Sequence, residues 1–429
     1  MRIESFDLLD SKDKFHQKAL HWSGQFDEIS FFNSNGPADQ WGRFESILAV
    51  KALAVFRADD HVLDQLQVFL SLHPGGFIPG FLSYDLKNEI EELQTTAVNT
   101  LEFPEAYFFV PAMTISCRGH QVQIRAEDPQ AIFQAICATI VPQQASPIDV
   151  RVHSRWTKPQ YFSAFDKVQQ HIQRGDIYEV NLCQEFFAEN ADIDPIEVYL
   201  KLNAVSPTPF SSFFKAGQHF IMSASPERFL AKRAGRLISQ PIKGTAKRGS
   251  TAAEDQEIMQ QMRHSQKEIA ENVMIVDLVR NDLTRSALPG TVQATGLFEI
   301  QSFKQVHQML STITCMQAPQ VSNMDVFRHT FPAGSMTGAP KIAAMQICDQ
   351  IEASRRGIYA GSIGYFDTLR DEFDFNVVIR SLLYNQQKQY LSFHTGGAVT
   401  NQASADQEYQ ECLLKASALL KALDTTLEQ

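Results

Sequence analysis

The chain is short of positive charge: 38 Lys and Arg stand against 49 Asp and Glu, a formal net charge of −11. Nucleic-acid binding, which wants a basic face, is therefore not expected. An anionic substrate must be met by local cations, a metal ion or helix N-termini. Cysteine is equally sparse. Cys117, Cys137, Cys183, Cys315, Cys348 and Cys412 are scattered with no Cys-x-x-Cys pair, so neither a disulfide framework nor a zinc site is expected. No run of uncharged apolar residues is long enough to span a bilayer. Met1–Asp10 lacks the apolar core of a secretion signal. These absences point to a cytoplasmic protein with free thiols, touching neither membrane nor nucleic acid.

What is present is an ordinary globular composition, 44% hydrophobic over 429 residues, enough for two or three average domains or one large one. Pro142–Pro147 is rich in proline and small polar residues and reads as a connector, dividing an N-terminal region, 1–141, from a motif-rich region, 157–425. Ile47–Phe56 reads as a buried strand or helix, and Phe77–Tyr84 as a glycine-punctuated strand pair. Tyr161, Phe165, Val168 and Ile172 recur at helical spacing between a Thr157 cap and a Gly175 stop. Tyr178, Val180 and Leu182 alternate as in a half-buried strand, and so do Phe373, Phe375, Val377 and Ile379. Residues 254–283 read as one long helix. Strands and helices mix without a βαβ rhythm, which predicts an α+β architecture with antiparallel sheets.

Several runs carry chemistry. Lys243 stands in Pro241-Ile242-Lys243-Gly244-Thr245, between a rigid proline and a glycine. An ammonium held there and desolvated can lose its proton and act as a nucleophile, although a solvated lysine before a glycine is commonplace. Glu268 and Glu271 lie three apart on one helical face, and Glu408 and Glu411 repeat the device. Either pair alone reads as solvated surface. The apolar neighbours Ile269, Val273, Val276, Cys412 and Leu413 argue for burial, and two pairs brought together suit Mg²⁺.

Pro332–Lys341 is a glycine-rich loop entering a helix, with Pro340 suited to the first helical position: an anion site or an ordinary tight turn. Glu227, in Ser225-Pro226-Glu227-Arg228-Phe229, is a general acid if burial raises its pKa, or an ion-pair partner of Arg228. The planar fork of Arg380 suits a carboxylate, and Tyr365 can add a hydroxyl to it. His307, alone, reads equally as a satisfied core histidine.

Taken together, Ser225–Phe229, Pro241–Thr245, Glu268–Asp282, Pro332–Lys341, Gly361–Tyr365, Arg380, Gly396-Gly397 and Glu408–Glu411 resemble, in order and spacing, the chorismate-utilising enzymes, the family of anthranilate and aminodeoxychorismate synthase components I. The resemblance covers roughly residues 157–420. It implies an anthranilate-synthase-component-I-like fold, with large antiparallel β-sheets packed as a sandwich and helices outside. It further implies Mg²⁺ held by Glu268, Glu271, Glu408 and Glu411. Thr337, Tyr365, Arg380, Gly396, Gly397 and Lys341 would bind substrate, Glu227 would be the acid, Lys243 the nucleophile, and His307 would orient the ring.

Lysine at 243 resembles the branch that aminates chorismate at carbon 4, on the way to 4-aminobenzoate and folate, where anthranilate synthases have alanine. Position 179, commonly glutamine in the family, is Glu179, which must be paired, protonated or turned away. A water-activating lysine is absent there. Pro207-Thr208-Pro209-Phe210 and Phe31–Ser34 depart from the tryptophan-regulated pattern and argue against a feedback site. No nucleophile-elbow cysteine for glutamine hydrolysis is recognisable, so ammonia is expected from a separate glutamine amidotransferase subunit. The rival readings are an anthranilate synthase component I and a catalytically idle subunit that senses chorismate or an amino acid.

Overall fold

Antiparallel strands dominate the computed structural model, which describes residues 1–8, 11–36, 39–142, 148–303 and 306–428. Most of the proline-rich connector, residues 143–147, lies outside the described residues. The strands join in one continuous network in which every ladder between strands is antiparallel.

Four strands, Ser46–Ala58, Glu28–Asn33, Phe210–Ala216 and His219–Ser225, lie side by side as a wall. Successive side chains point to opposite faces, so both faces can be apolar. Phe32, Ile47, Ala49, Phe214 and Ile221 enter a core shared with Phe81, Phe108, Phe366 and Phe375 of the facing strands. The rings of Phe81 and Phe214 meet across it with centroids 5.5 Å apart. The alternate residues Phe31, Leu48, Val50, Phe213 and Met222 enter a second core. The helices Lys12–Ser23, Pro129–Ala138, Pro195–Val205 and Ala405–Ala422 cover that core. The result is a sheet sandwich with helices outside.

Ile47–Phe56 is strand, within Ser46–Ala58. The Phe77–Tyr84 run is one strand, Phe77–Leu82, ended by a short turn, and not a pair. Gly80 is there for space: a Cβ would sit 2.2 Å from the Phe108 ring. This strand pairs with Ser362–Asp367, and Glu28–Asn33 pairs with Phe210–Ala216, so N-terminal strands complete the later sheets.

A third core forms where the helix Lys158–Arg174 packs on the strands Glu179–Ala188 and Tyr390–Thr400. Thr157 and Gln160 close a reciprocal capping box at its start, and Gly175, at φ +82°, ends it, as expected from the sequence. The expected long helix is two, Ala252–His264 and Gln266–Thr284. Ser265 breaks it by taking extended geometry and accepting a hydrogen bond from the Glu268 amide, a capping preference that outweighs the helical run. The break puts Glu268 in the first turn of the second helix. The strand Glu372–Val377 stops short of Ile379, and Arg380 sits in the turn beyond it at φ +52°.

Candidate active site

Lys243 lies in the strand Ile242–Lys247, whose pairing with Val306–Met316 loses register between Ile242 and Thr245. Gly244 makes this irregularity possible with φ +94°, and a Cβ on it would approach Glu268 Oε2 to 2.5 Å. Lys243 Nζ donates to Glu179 Oε1 at 2.7 Å. Glu179, 1% exposed, is thus paired. Desolvation alone is expected to let this lysine lose its proton. Burial does favour the neutral amine, but Glu179, with Glu271 and Glu227 beyond it, raises the pKa above its ordinary value. Arg248 is turned away onto Asp255. Lys243 therefore rests as an ammonium.

Glu227 is 4% exposed. Burial pushes its pKa from 4.5 up to about 7, against the hydrogen bond from Ser335 and the charge of Lys243. The Arg228 ion pair is not formed: that guanidinium binds Asp374 and Asp39 instead. Ser335 Oγ donates to Glu227 Oε1 at 2.5 Å, which ties the glycine-rich loop to the acid. The loop is itself clamped by the buried Arg356, which donates to the Met336 carbonyl at 2.6 Å and the Asn181 carbonyl at 2.7 Å.

The amides of Met336 and Thr337 close on the Ala333 and Gly334 carbonyls, and Gly338-Ala339 pairs with Val180 and Glu179. These groups hold the loop in place and are not turned to an anion. The Thr337 hydroxyl donates to Gly334 at 2.9 Å. Pro340 is the residue before the helix Lys341–Ile351, one place earlier than expected. Lys341 Nζ pairs with Asp282 at 2.9 Å and donates to the Thr330 carbonyl at 2.8 Å, so it is spent on structure rather than presented to a substrate.

The four candidate metal-binding carboxylates stand on the helices Gln266–Thr284 and Ala405–Ala422, near enough that Glu411 acts on Glu268 and Glu271 on Glu408 through space. Burial, then the negative charge of Glu411, pushes Glu408 from 4.5 up to about 7. Burial also raises Glu268 and Glu271. Glu411 is exposed, and its ion pair with Lys415 at 2.7 Å holds its pKa below the usual carboxylate value. Glu408 Oε2 is buried without a hydrogen-bond partner.

Gly397 leaves room for this oxygen, since a Cβ there would lie 2.3 Å from it. Gly396 serves packing on the neighbouring strand, and its carbonyl accepts from Lys415 at 2.7 Å. Among the described residues no three carboxylate, imidazole or thiol groups converge closely enough to form a metal cage. The set is open and all-oxygen, with Lys415 paired to Glu411 and Lys267 3.8 Å from Glu271 at its edge. It fits a hard cation that keeps most of its waters.

Arg380 is held below its ordinary pKa by burial and has no carboxylate within ion-pairing distance among the described residues. A half-buried guanidinium with no carboxylate beside it among the described residues is suited to an incoming carboxylate. The tyrosine beside it is Tyr359, which sequence reasoning missed, and not Tyr365. The Ala360 amide bonds to the Val378 carbonyl, and the Val378 amide to Gly361, which sets Tyr359 next to the Arg380 turn. The phenol of Tyr359 meets Cys183 Sγ at 3.5 Å, and its ring stacks on His394.

Tyr365 belongs to a separate aromatic group with Phe32, Phe44 and Phe77, its hydroxyl accepting from Arg233 at 3.1 Å. It lines a cavity of about 100 Å³ that includes Asn33, Ser34 and Phe210. The only signal for Tyr359 was its place six residues earlier in the same glycine-flanked run. His307 is fully buried, with both ring nitrogens engaged at 2.8 Å by Ser302 and Asp255. It braces the strand that carries Lys243, pairing opposite Ala246.

A bulge-borne lysine on a buried carboxylate, a buried acid raised to about 7, an open acidic cluster and a guanidinium with no ion-pair partner among the described residues thus occur in one chain. The sequence profile described as chorismate binding enzyme matches residues 5–421. The chain belongs to this family. It is 35% identical over 352 residues to aminodeoxychorismate synthase component 1 of Escherichia coli (strain K12), covering 80% of this chain and 76% of that protein.

The chain is also 40% identical over 305 residues to aminodeoxychorismate synthase of Streptomyces griseus, covering 70% of this chain but only 40% of that longer protein. Anthranilate synthase component I of Streptococcus pneumoniae has the same fold, with a TM-score of 0.76 at 25% identity, covering 87% of this chain and 91% of that one. No described helix is long and apolar enough to cross a membrane.

Proposed function

We propose that the chain is the chorismate-aminating component of an aminodeoxychorismate synthase, replacing the carbon 4 hydroxyl of chorismate with an amino group. The observation that carries this reading is Lys243 itself, an inward-facing lysine 2.7 Å from a buried carboxylate and electrostatically coupled to Glu227. Lys243 Nζ bonds to carbon 2 as the carbon 4–oxygen bond breaks, and the Glu227 proton goes to the oxygen, which leaves as water. Ammonia then forms the carbon 4–nitrogen bond while the carbon 2–Nζ bond breaks. Arg380 and Tyr359 receive the enolpyruvyl carboxylate.

Glu268, Glu271, Glu408 and Glu411 would hold Mg²⁺, which when bound neutralises the ring carboxylate and draws electron density from the ring. Five of the six thiols are buried, and burial pushes Cys183 up to about 12, which suits no glutamine-hydrolysing nucleophile. A separate amidotransferase subunit is thus the ammonia source, in keeping with relatives named component 1.

The test is mass spectrometry of the intact protein and of its proteolytic peptides after incubation with chorismate and Mg²⁺ but no ammonia. The expected result is an adduct of chorismate less water on the peptide that contains Lys243, absent from K243A. A K243A protein that makes product at the wild-type rate would end this reading.

A further inference from the structure

A charged lysine cannot attack carbon, so something must take a proton from Lys243 and hold it nearby. We propose that Glu179 is the proton store of Lys243, keeping Nζ charged in the resting site, taking one proton as substrate arrives, and returning it when the lysine is released. This rests on the covalent role of Lys243 proposed above.

Glu179 is the single hydrogen-bond partner of Nζ among the described residues, at 2.7 Å. Its backbone cannot drift, because it lies between two strands, opposite Thr400 on one side and Ala339 on the other. Gly338 permits that closeness, since a Cβ on it would lie 2.2 Å from the Glu179 carbonyl. The second carboxylate oxygen, Oε2, is buried with no hydrogen-bond partner, so one lone-pair site on this group is kept open inside the protein.

The other acids facing Lys243 are placed for other work. Glu227 must keep its proton for the leaving hydroxyl. Glu271 and Glu268, from the helix Gln266–Thr284, and Glu411, from Ala405–Ala422, act on Lys243 through space without a hydrogen bond to Nζ. A substrate with two carboxylates also repels an anionic Glu179, and a proton moved from Nζ to Oε1 relieves that repulsion as the amine becomes nucleophilic.

The balance closes. One proton passes from Nζ to Glu179 and leaves a neutral amine, whose lone pair forms the bond to carbon 2. Glu227 supplies the proton that leaves in water. Entry of ammonium as ammonia plus a proton restores Glu227, attack at carbon 4 expels Lys243 as a neutral amine, and Glu179 returns its proton. The net change is chorismate plus ammonium to the protonated amino product plus water. Glu179 acts through Lys243 and is a positioning residue.

The test compares the pH dependence of adduct formation in wild type and E179Q below about pH 7, where Glu227 stays protonated in both. In the wild type the proton moves within the site, so the rate is flat. In E179Q the lysine must lose its proton to solvent, so the rate falls about tenfold for each pH unit of acidification. Glu227, Glu268, Glu271 and Glu411 are common to both proteins and cancel in the ratio.

A ratio independent of pH would overturn the proposal. If K243A is inactive at the same time, the covalent role of Lys243 stands while that of Glu179 falls. An active K243A would end both. E179D keeps a carboxylate and is expected to restore the flat limb. It also carries the test if E179Q does not fold, since a sloped limb in folded E179D contradicts the proposal equally.

Discussion

Replacing Glu227 with glutamine should weaken the enzyme and strengthen the fold at once. Burial raises this carboxyl from 4.5 to about 7, so the folded protein holds a proton that the unfolded chain gives up near 4.5. The stability from that proton is complete below pH 4.5 and is lost as pH rises through the window to about 7. A gap of roughly 2.5 pKa units at 1.36 kcal/mol each is about 3 kcal/mol. E227Q keeps the shape and an acceptor for Ser335 but never ionises. Its unfolding free energy, from urea titrations, should match the wild type at about pH 4.5 and exceed it by about 3 kcal/mol at about pH 8. Its turnover should fall by about 10²–10⁴ for want of the acid. A stability difference that did not change with pH would refute the claim that Glu227 is a buried acid poised near neutrality.

Three further outcomes follow from the same contacts. K341M leaves Asp282 buried without its cation and should cost about 3–5 kcal/mol of stability while KM for chorismate stays unchanged; a raised KM in a stable variant would return Lys341 to the substrate. G397A pushes a methyl to 2.3 Å from Glu408 Oε2, so half-maximal activity should require more Mg²⁺, and an unaltered Mg²⁺ titration would count against that carboxylate as a ligand. Y359F should raise KM for chorismate, whereas Y365F, which loses only the bond from Arg233, should cost about 1 kcal/mol of stability and leave KM alone.

The parts of the site legible in the sequence are those in which local order dictates position. The Thr157 cap and Gly175 stop fixed a helix, and the proline and glycine around Lys243 singled that lysine out, while the irregularity at Gly244 shows only in the strand pairing. Glu227, beside a proline at a strand end, was readable as a candidate, but its hydrogen-bond partner Ser335 lies more than a hundred residues away. Lys341 misled for the same reason, because Asp282, which neutralises it, lies on another helix.

Tyr359 and Tyr365 share one glycine-flanked run, and only the sheet register puts one beside Arg380 and the other among Phe32, Phe44 and Phe77. The role of Glu179 was open between pairing, protonation and turning away, and a 2.7 Å bond across 64 residues of chain decides for pairing. Ser265, a single capping residue, divided a helix that periodicity alone made continuous.

The most direct test of the central claim is product identification from purified protein given chorismate, Mg²⁺ and an ammonium salt at mildly alkaline pH, with half of the sample chased by an aminodeoxychorismate lyase. The account predicts 4-aminobenzoate in the chased half alone. Anthranilate with pyruvate, formed without the lyase, would contradict it.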